Sequence, residues 1–454
     1  MKNPVVIPTR PPNYEYPPSD YRNIHGRPSV TVSSKGLTLG TSEYFNDGAD
    51  FGPDTPGTST SGIQEAMDYL ASSNYVQEFG YAGTVRMNAG TFKITSPITF
   101  PSSGYISLEG AGLIDTQIMI NASGISGVVN SVDNGFSYRS LKNFNVFSNS
   151  LGVSGLDIQS PEVNGQCVVE NVSVVGSWSG APINWVGSEN TRFKNVSVVQ
   201  AGTSPQSVFS VPGGTIYFDD CELDDFSGHA QEITLLNTTL GAFELGGNTG
   251  TLLLLNCYQA NAFTGTRFST NGYTLQSFIS LGTWHGLSDS SAFFGGGGGA
   301  GGAGGAQIRN VRINAYINLL DSTTCKFCDT PDSNGYPYSY YVDMRGTQLN
   351  AGSGTLSGFV FGKKGGYVVN HGGFSIATPG VPNSGTAQTN SFAFPVRVYL
   401  TSSGTGTAYT LTDPNGNSET FSTTLAVGKE ITVDPGGSIT LTYTVAPTWV
   451  WYAV

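Results

Sequence analysis

The chain has 454 residues, of which 11% are charged, and its formal net charge is −12. Soluble domains usually carry about 25% charged residues, so glycines, hydroxyls and amides must keep this surface polar. The negative balance argues against nucleic acid as the main partner. No run of about 18 apolar residues is present that would span a membrane. This composition is typical of an extracellular or virion surface.

The chain opens with a segment rich in proline and tyrosine. Residues 1–35 lack strand or helix periodicity, which predicts an extended arm. The arm is either a disordered tail or a segment that docks into other virion proteins. It has no apolar signal core, so export through a signal peptide is not expected unless a signal has already been removed. This favours assembly into a virus particle over secretion.

The middle of the chain repeats the pattern apolar–x–Asn/Asp–apolar–x–apolar about every two dozen residues. The polar residues of the copies are Asn143, Asn171, Asn195, Asp220, Asn237, Asn256 and Asn310. Each unit is too short to bury its own apolar face, so the units must stack as a solenoid. We predict that the polar side chain at each bend hydrogen-bonds its counterpart on the next coil.

The segments ahead of this repeat resemble the opening of the pectate-lyase superfamily. Residues 48–72 run from a glycine-rich loop into an amphipathic helix, and residues 83–112 contain two strands and a Gly-Ala-Gly turn. The family's Asp-Asp-Thr before the helix is replaced by Thr58-Ser-Thr-Ser61. The resemblance covers roughly residues 40–375. It implies a right-handed parallel β-helix, the fold of phage tailspikes and of many polysaccharide-degrading enzymes, and a homotrimer in the case of a tailspike.

Five carboxylates crowd the segment FDDCELDDF, residues 218–226. The repeat leaves Asp219, Glu222 and Asp224 facing solvent. Carboxyl groups two residues apart on a strand lie about 6.5–7 Å apart, a separation that suits an inverting glycosidase. The three residues are therefore candidate catalytic groups, with Lys194 and His229 as candidate helpers.

Two other interpretations of this acidic segment stay open. Clustered carboxylates can bind calcium, although no other cofactor is indicated. Carboxylates on the outer face of a solenoid are also commonly just solvated. The Asn-Thr-Asp, Gly-His-Gly and Arg-x-Lys blocks of the polygalacturonase-like members are absent, which weakens the enzymatic interpretation.

Aromatic side chains supply a second candidate site. Trp284, His285 and Tyr340, which lies in a tyrosine-rich stretch, could form a platform for a glycan because aromatic rings suit sugar faces. Packing between strands is the alternative. Cys325 and Cys328 form an isolated CxxC pair that predicts a small disulfide or two free thiols, since no second pair completes a metal site.

Towards its end the chain changes character. Residues 293–306 are almost all glycine and alanine, which predicts a flexible insertion in the solenoid, itself assigned to residues 36–384. Residues 385–454 alternate apolar and polar positions between Asp-Pro turns, which predicts an antiparallel, jelly-roll-like β-sandwich. Its aromatic end, around Trp449 and Trp451, is either a core strand or a subunit interface.

The sequence thus predicts an all-β protein: an arm, a right-handed parallel β-helix and a C-terminal sandwich. We expect a homotrimeric virion spike, anchored through its arm, that presents a rigid shaft to a host glycan or glycoprotein. The alternative is a polysaccharide lyase or glycoside hydrolase acting at the acidic segment, and a secreted or cell-surface protein is a third possibility.

Overall fold

The computed structural model describes residues 29–36, 49–72, 82–102, 105–130, 139–160, 166–187, 190–200, 205–259, 266–287, 292–295, 307–319, 324–328, 341–343, 348–350, 355–357, 378–392 and 395–453. These residues divide into two units, 1–247 and 248–454. Each unit is described by itself.

Unit 1 is a parallel β-helix. Its elements are α1 (Ile63–Leu70) and the strands β1 (Ser29–Val32), β2 (Ala82–Met87), β3 (Gly90–Ile94), β4 (Ile98–Thr99), β5 (Tyr105–Gly110), β6 (Thr116–Ile120), β7 (Val128–Asn130), β8 (Ser140–Gly152), β9 (Leu156–Gln159), β10 (Gln166–Trp178), β11 (Ile183–Val186), β12 (Asn190–Gln200), β13 (Ser207–Asp219), β14 (Glu222–Leu223), β15 (Phe226–Leu236), β16 (Thr239–Leu240) and β17 (Phe243–Leu245). The strand β10 pairs in parallel with β8 on one side and with β12 on the other. Equivalent strands of successive coils therefore stack in register.

The interior of unit 1 is built from apolar side chains that recur at the same place in each coil. The register aligns Leu141, Val169, Phe193, Phe218 and Leu235, and all five are fully buried. Side chains alternate between the two faces of a strand, so the flanking polar residues face outward. The helix α1 buries the apolar face formed by Ile63, Ala66, Met67 and Leu70.

The repeated polar residues occupy a bend that ordinary residues avoid. Asn143, Asn171, Asn195, Asp220 and Asn237 have φ angles of 62°, 54°, 49°, 55° and 50°. Asparagine and aspartate visit this left-handed region more readily than other non-glycine residues. In three successive coils the amides also form a ladder: Asn171 Nδ2 donates to Asn143 Oδ1 at 2.9 Å, and Asn195 Nδ2 donates to Asn171 Oδ1 at 2.8 Å.

Two threonines ahead of the helix α1 hydrogen-bond its first N–H groups. Thr58 Oγ1 accepts from the Gly62 backbone N–H at 2.8 Å, and Thr60 Oγ1 accepts from the Gln64 N–H at 3.0 Å. Hydroxyls at a helix start satisfy N–H groups that have no partner inside the helix. The segment Thr58-Ser-Thr-Ser61 therefore stabilises the start of the helix.

The arm predicted over residues 1–35 is too long. The strand β1 pairs in parallel with Thr84–Met87 of β2, and Val30 and Val32 are buried. Residues 29–35 therefore belong to the solenoid, because their alternating Val side chains complete its apolar interior. The rest of the predicted arm, residues 1–28, lies outside the described residues.

Unit 2 contains parallel coils and an antiparallel sandwich. The parallel strands are β18 (Thr249–Leu255), β19 (Tyr258–Gln259), β20 (Thr266–Ser269), β21 (Thr274–Leu287), β22 (Ala292–Gly295), β23 (Gln307–Leu319), β24 (Thr324–Cys328), β25 (Tyr341–Asp343), β26 (Gln348–Asn350) and β27 (Thr355–Ser357). The antiparallel strands are β28 (Ala387–Thr389), β29 (Val396–Ser402), β30 (Gly406–Thr412), β31 (Ser418–Ser422), β32 (Glu430–Val433), β33 (Ser438–Tyr443) and β34 (Thr448–Ala453). The predicted fold class, a parallel β-helix with a β-sandwich, is confirmed.

The sandwich has a four-stranded sheet in the order β28-β33-β30-β31 and a three-stranded sheet in the order β32-β29-β34. Trp449 and Trp451 of β34 are buried, at 5% and 1% exposure. The Trp449 Nε1–H donates to the Pro379 carbonyl at 2.7 Å, and the Trp451 N–H donates to Thr378 Oγ1 at 3.0 Å. The sandwich therefore includes residues from Thr378 onward, ahead of the predicted boundary at residue 385.

Two further sequence assignments in unit 2 need correction. Phe293 and Phe294 are fully buried in β22, so the glycine-rich insertion does not begin at residue 293. Asn310 lies within the continuous strand β23, paired with Ser277, and is not a bend residue. The bend of that region is formed by Asn256, with φ 52°, and by Gly282, with φ 63°.

Cys325 and Cys328 both lie in the strand β24. A local disulfide and two free thiols stay alternative predictions for this pair.

Candidate functional site

The acidic segment lies where two outer columns of the β-helix meet. Glu170, Lys194 and Asp219 align in one column, and Ser197, Glu222 and Thr239 align in the other. Asp219 pairs with Arg192 at 3.4 Å, whereas Lys194 pairs with Glu170 at 3.3 Å. Lys194 stands beside Asp219 in the column but contacts Glu170, and its role as a helper of the acidic segment stays a prediction.

The first column alternates in charge over six successive coils. The aligned residues are Arg86, Glu109, Lys142, Glu170, Lys194 and Asp219. Arg86 contacts Glu109 at 3.6 Å, and Glu170 is held between Lys142 at 3.1 Å and Lys194 at 3.3 Å. Hydrogen bonding to Lys142 is the main cause that lowers the pKa of Glu170.

Part of this column follows from the repeat in the sequence. The signal was present, because Lys142, Glu170, Lys194 and Asp219 each directly precede the polar bend residue of their coil. Arg86 and Glu109 lie outside the repeat pattern, so only the strand register reveals them.

The remaining carboxylates of the acidic segment differ in environment. Glu222 is exposed and accepts from Ser197 Oγ at 3.3 Å. Asp224 is partly buried and accepts from the Gln200 N–H at 3.0 Å. Burial raises the pKa of Asp224, and the charges of Asp225 and Glu222 add to that rise against the opposing hydrogen bond. A carboxyl that keeps its proton to higher pH is a candidate general acid.

The other groups of the segment are structural. Asp225 Oδ1 accepts from the Ala242 N–H at 2.7 Å, and Asp220 occupies the left-handed bend. Burial raises the pKa of the Cys221 thiol to about 11, so this thiol keeps its proton at neutral pH. His229 aligns with Ser210 on a neighbouring strand rather than with Glu222 or Asp224. Among the described residues, no group of three or more His, Cys, Asp or Glu side chains is arranged to hold a metal ion, and the calcium alternative stays a prediction.

In unit 2 a column of aromatic rings runs across three strands. Tyr258, Trp284 and Tyr316 align in register. The Tyr258 and Trp284 ring centroids are 4.9 Å apart with planes at 28°, and those of Trp284 and Tyr316 are 6.3 Å apart at 23°. Tyr258 is 47% exposed, so the column faces outward.

The surroundings of this aromatic column are polar and contain few carboxylate side chains. Asn256 and Asn314, each two residues before a tyrosine of the column, are exposed. Between residues 248 and 319 the sequence has three arginines and a single carboxylate, Asp289. The stretch is therefore basic within a chain whose net charge is −12. Of these three aromatic residues the sequence alone indicates Trp284, because the alignment of both tyrosines depends on strand register.

His285 does not belong to this outer surface. Its ring is fully buried, with Nε2 2.8 Å from Ser280 Oγ and Nδ1 2.9 Å from Gln259 Oε1. Burial, with the nearby charge of Arg267, lowers its pKa to about 3. Because Ser280 and Gln259 are also fully buried, the arrangement is a core hydrogen-bond chain. The prediction that His285 contacts a glycan is wrong, and Tyr340 lies outside the described residues.

Across the described residues, the single helix is too short to cross a bilayer. No protein-family model matches the chain, and no curated protein matches it at a significant level. Among solved structures, the chain is similar to the tailspike protein of Acinetobacter phage vB_ApiP_P1, with 10% identity, a TM-score of 0.43, and coverage of 88% of this chain and 87% of that one. It is also similar to ORF18 of Geobacillus virus E2, with 12% identity, a TM-score of 0.33, and coverage of 92% and 76%.

Proposed function

We propose that the chain is a tailspike-like virion protein that attaches to a host-surface glycan through the outer face of its β-helix. The observation that carries this proposal is the outward column formed by Tyr258, Trp284 and Tyr316. Stacked rings on paired strands form a rigid strip, so little conformational entropy is lost when a ligand binds.

The chemistry of the column suits a saccharide. Because each ring covers part of the next ring's face, a sugar would lie along the exposed edges and the tyrosine hydroxyls. The amides of Asn256 and Asn314 beside the column are exposed and offer hydrogen bonds to sugar hydroxyls. An apolar strip with a few flanking polar groups is typical of a ligand site.

Trp284→Ala should weaken binding to immobilised bacterial surface polysaccharides by about tenfold or more, the usual effect of removing a central aromatic anchor. Biolayer interferometry would measure the change. Tyr273→Ala is the matched control, because Tyr273 is 39% exposed but does not belong to the column. Equal losses in both variants, or no loss in either, would contradict the proposed site.

The proposal includes assembly as a homotrimer that anchors to other virion proteins through residues 1–28. Light scattering on the protein used for binding should give three times the chain mass of 47.7 kDa. A monomer would contradict this part of the proposal.

The raised pKa of Asp224 favours a second candidate function, glycoside hydrolysis at the acidic segment. In that case Asp224 donates the proton to the leaving group while exposed Glu222 activates water. Asp224→Asn should then reduce release of reducing sugar from the bound polysaccharide at least about a hundredfold, with Glu244→Gln as the control. Unchanged release, or none from the wild-type protein, would exclude this function.

A further inference from the structure

A polar groove crosses four neighbouring strands on the outer face of unit 1. Its floor is formed by Thr84, Ser107, Ser140 and Val168, from β2, β5, β8 and β10. The register aligns Thr84 with Ser107 and Ser140 with Val168, and the Ser140 N–H donates to Ser107 Oγ at 3.1 Å. With strands about 4.8 Å apart, the floor is roughly 14 Å long. The cavity volume is about 370 Å³.

Larger side chains border this floor on both sides. Lys142 stands on one side and Gln166 on the other. Beyond Val168 the same column continues with Arg192 and Tyr217, whose guanidinium carbon lies 5.1 Å from the ring centroid. The large side chains of Arg192 and Tyr217 therefore close the groove beyond Val168. The small side chains of Thr84, Ser107 and Ser140 leave it open along the rest of its length.

The lining of the groove contains two cations, Arg139 and Lys142, while Glu109 and Glu170 flank Lys142 in the alternating column. No carboxylate is among its lining side chains. Lys142 and Lys194 share the single carboxylate of Glu170 at 3.1 and 3.3 Å, so this trio retains one positive charge. An ammonium group has three donors, and the contact with Glu170 uses one of the three on Lys142.

Arg139, the other cation among the lining residues, is almost fully buried, at 4% exposure. The guanidinium of Arg139 donates to Asn130 Oδ1 at 3.3 Å and to the Pro101 carbonyl at 3.2 Å. It is held there over the ring of Phe100, at 5.2 Å. The Lys142 side chain is 34% exposed, so Lys142 is the more accessible cation of the lining.

An exposed aromatic ring lies beside the hydroxyl floor. Tyr105 is 43% exposed and precedes Ser107 by two residues on the same face of β5. Hydroxyls and an amide to bind sugar hydroxyls, a ring to cover an apolar sugar face, and one ammonium for an anion therefore converge here.

We propose that this groove binds a saccharide that carries a carboxylate, with the carboxylate on Nζ of Lys142. The inference rests on the proposed function only for the class of ligand. The groove belongs to unit 1 and shares no residue with the aromatic column of unit 2, so either site can fail without the other.

Lys142→Gln tests this proposal, with Lys194→Gln as the matched control. Each variant leaves Glu170 with one lysine partner, but only Lys142 lines the groove. The probes are tetramers of a uronic acid and of sialic acid, together with their carboxyl-reduced, neutral forms. Affinities are measured by calorimetry on the full chain. Inorganic phosphate at the same charge concentration distinguishes a saccharide site from a general anion site.

The wild-type protein should bind at least one acidic tetramer, and Lys142→Gln should lose about tenfold in affinity for it, the usual value of a charge-assisted hydrogen bond. Lys194→Gln should change that affinity less than twofold, and Lys142→Gln should not change the affinity for the neutral form. The proposal is overturned if neither acidic tetramer binds, if both variants lose affinity equally, or if phosphate competes at the same concentration. If Trp284→Ala loses binding and Lys142→Gln binds normally, the groove is not the binding site. The proposed function at the aromatic column is then unaffected.

Discussion

Mild acid should destabilise unit 2 because His285 cannot take up a proton while it is buried. Its pKa is about 3 in the folded chain against an ordinary value of 6.5. Between these values the unfolded state binds a proton that the folded state does not, so stability is complete above pH 6.5 and falls as the pH drops towards 3. The loss from pH 8 to pH 5 should be about 2 kcal/mol.

Urea unfolding at pH 8, 6 and 5, followed by intrinsic fluorescence, measures this effect. The window above pH 5 lies above the range in which ordinary carboxylates titrate. In His285→Gln the drop in unfolding free energy over this window should shrink by most of that amount, because glutamine has no proton to gain. His229→Gln, a half-buried histidine in unit 1, is the control. An unchanged pH dependence in His285→Gln would show that His285 is not the group responsible.

Phe218→Ala should cost about 3–5 kcal/mol of stability, the usual cost of removing a large core side chain. Its ring lies 5.0 Å from the Phe193 and Phe209 centroids and 5.9 Å from that of Phe226. The surrounding rings belong to different coils that are fixed by parallel pairing, so the cavity cannot collapse easily. The urea midpoint of the variant gives the loss.

Two further variants control for this interpretation. Phe218→Leu keeps most of the volume and should cost less than about 1.5 kcal/mol. Phe421→Ala removes a half-buried ring of the sandwich that stacks on Tyr409 at 4.8 Å, and it should also cost less. A similar loss from Phe218→Leu and Phe218→Ala would mean that the shape of the ring, not its volume, stabilises the stack. Because Phe218 directly precedes Asp219, we expect the cavity left by Phe218→Ala to shift the acidic segment as well.

The sequence by itself determined the coil architecture because its signals are local. Alternation of apolar and polar residues over a few positions defines each strand, and an asparagine or aspartate marks the bend that needs a left-handed backbone. The burial of Phe218 and Leu223 and the outward position of Glu222 followed from this alternation. Asn310 shows the limit of this local pattern, because the same short pattern also fits an uninterrupted strand.

Tertiary structure decided which outer side chains meet, since neighbours across a parallel β-helix are about a full coil apart in sequence. A shift of one residue in register turns every side chain to the other face, so contacts across coils cannot be deduced from one strand. This is why Tyr258 and Tyr316 were missed beside Trp284, why Arg192 rather than Lys194 pairs with Asp219, and why His285 is buried next to an outward Trp284. The groove of Thr84, Ser107 and Ser140 likewise exists only because three distant small residues fall into one column.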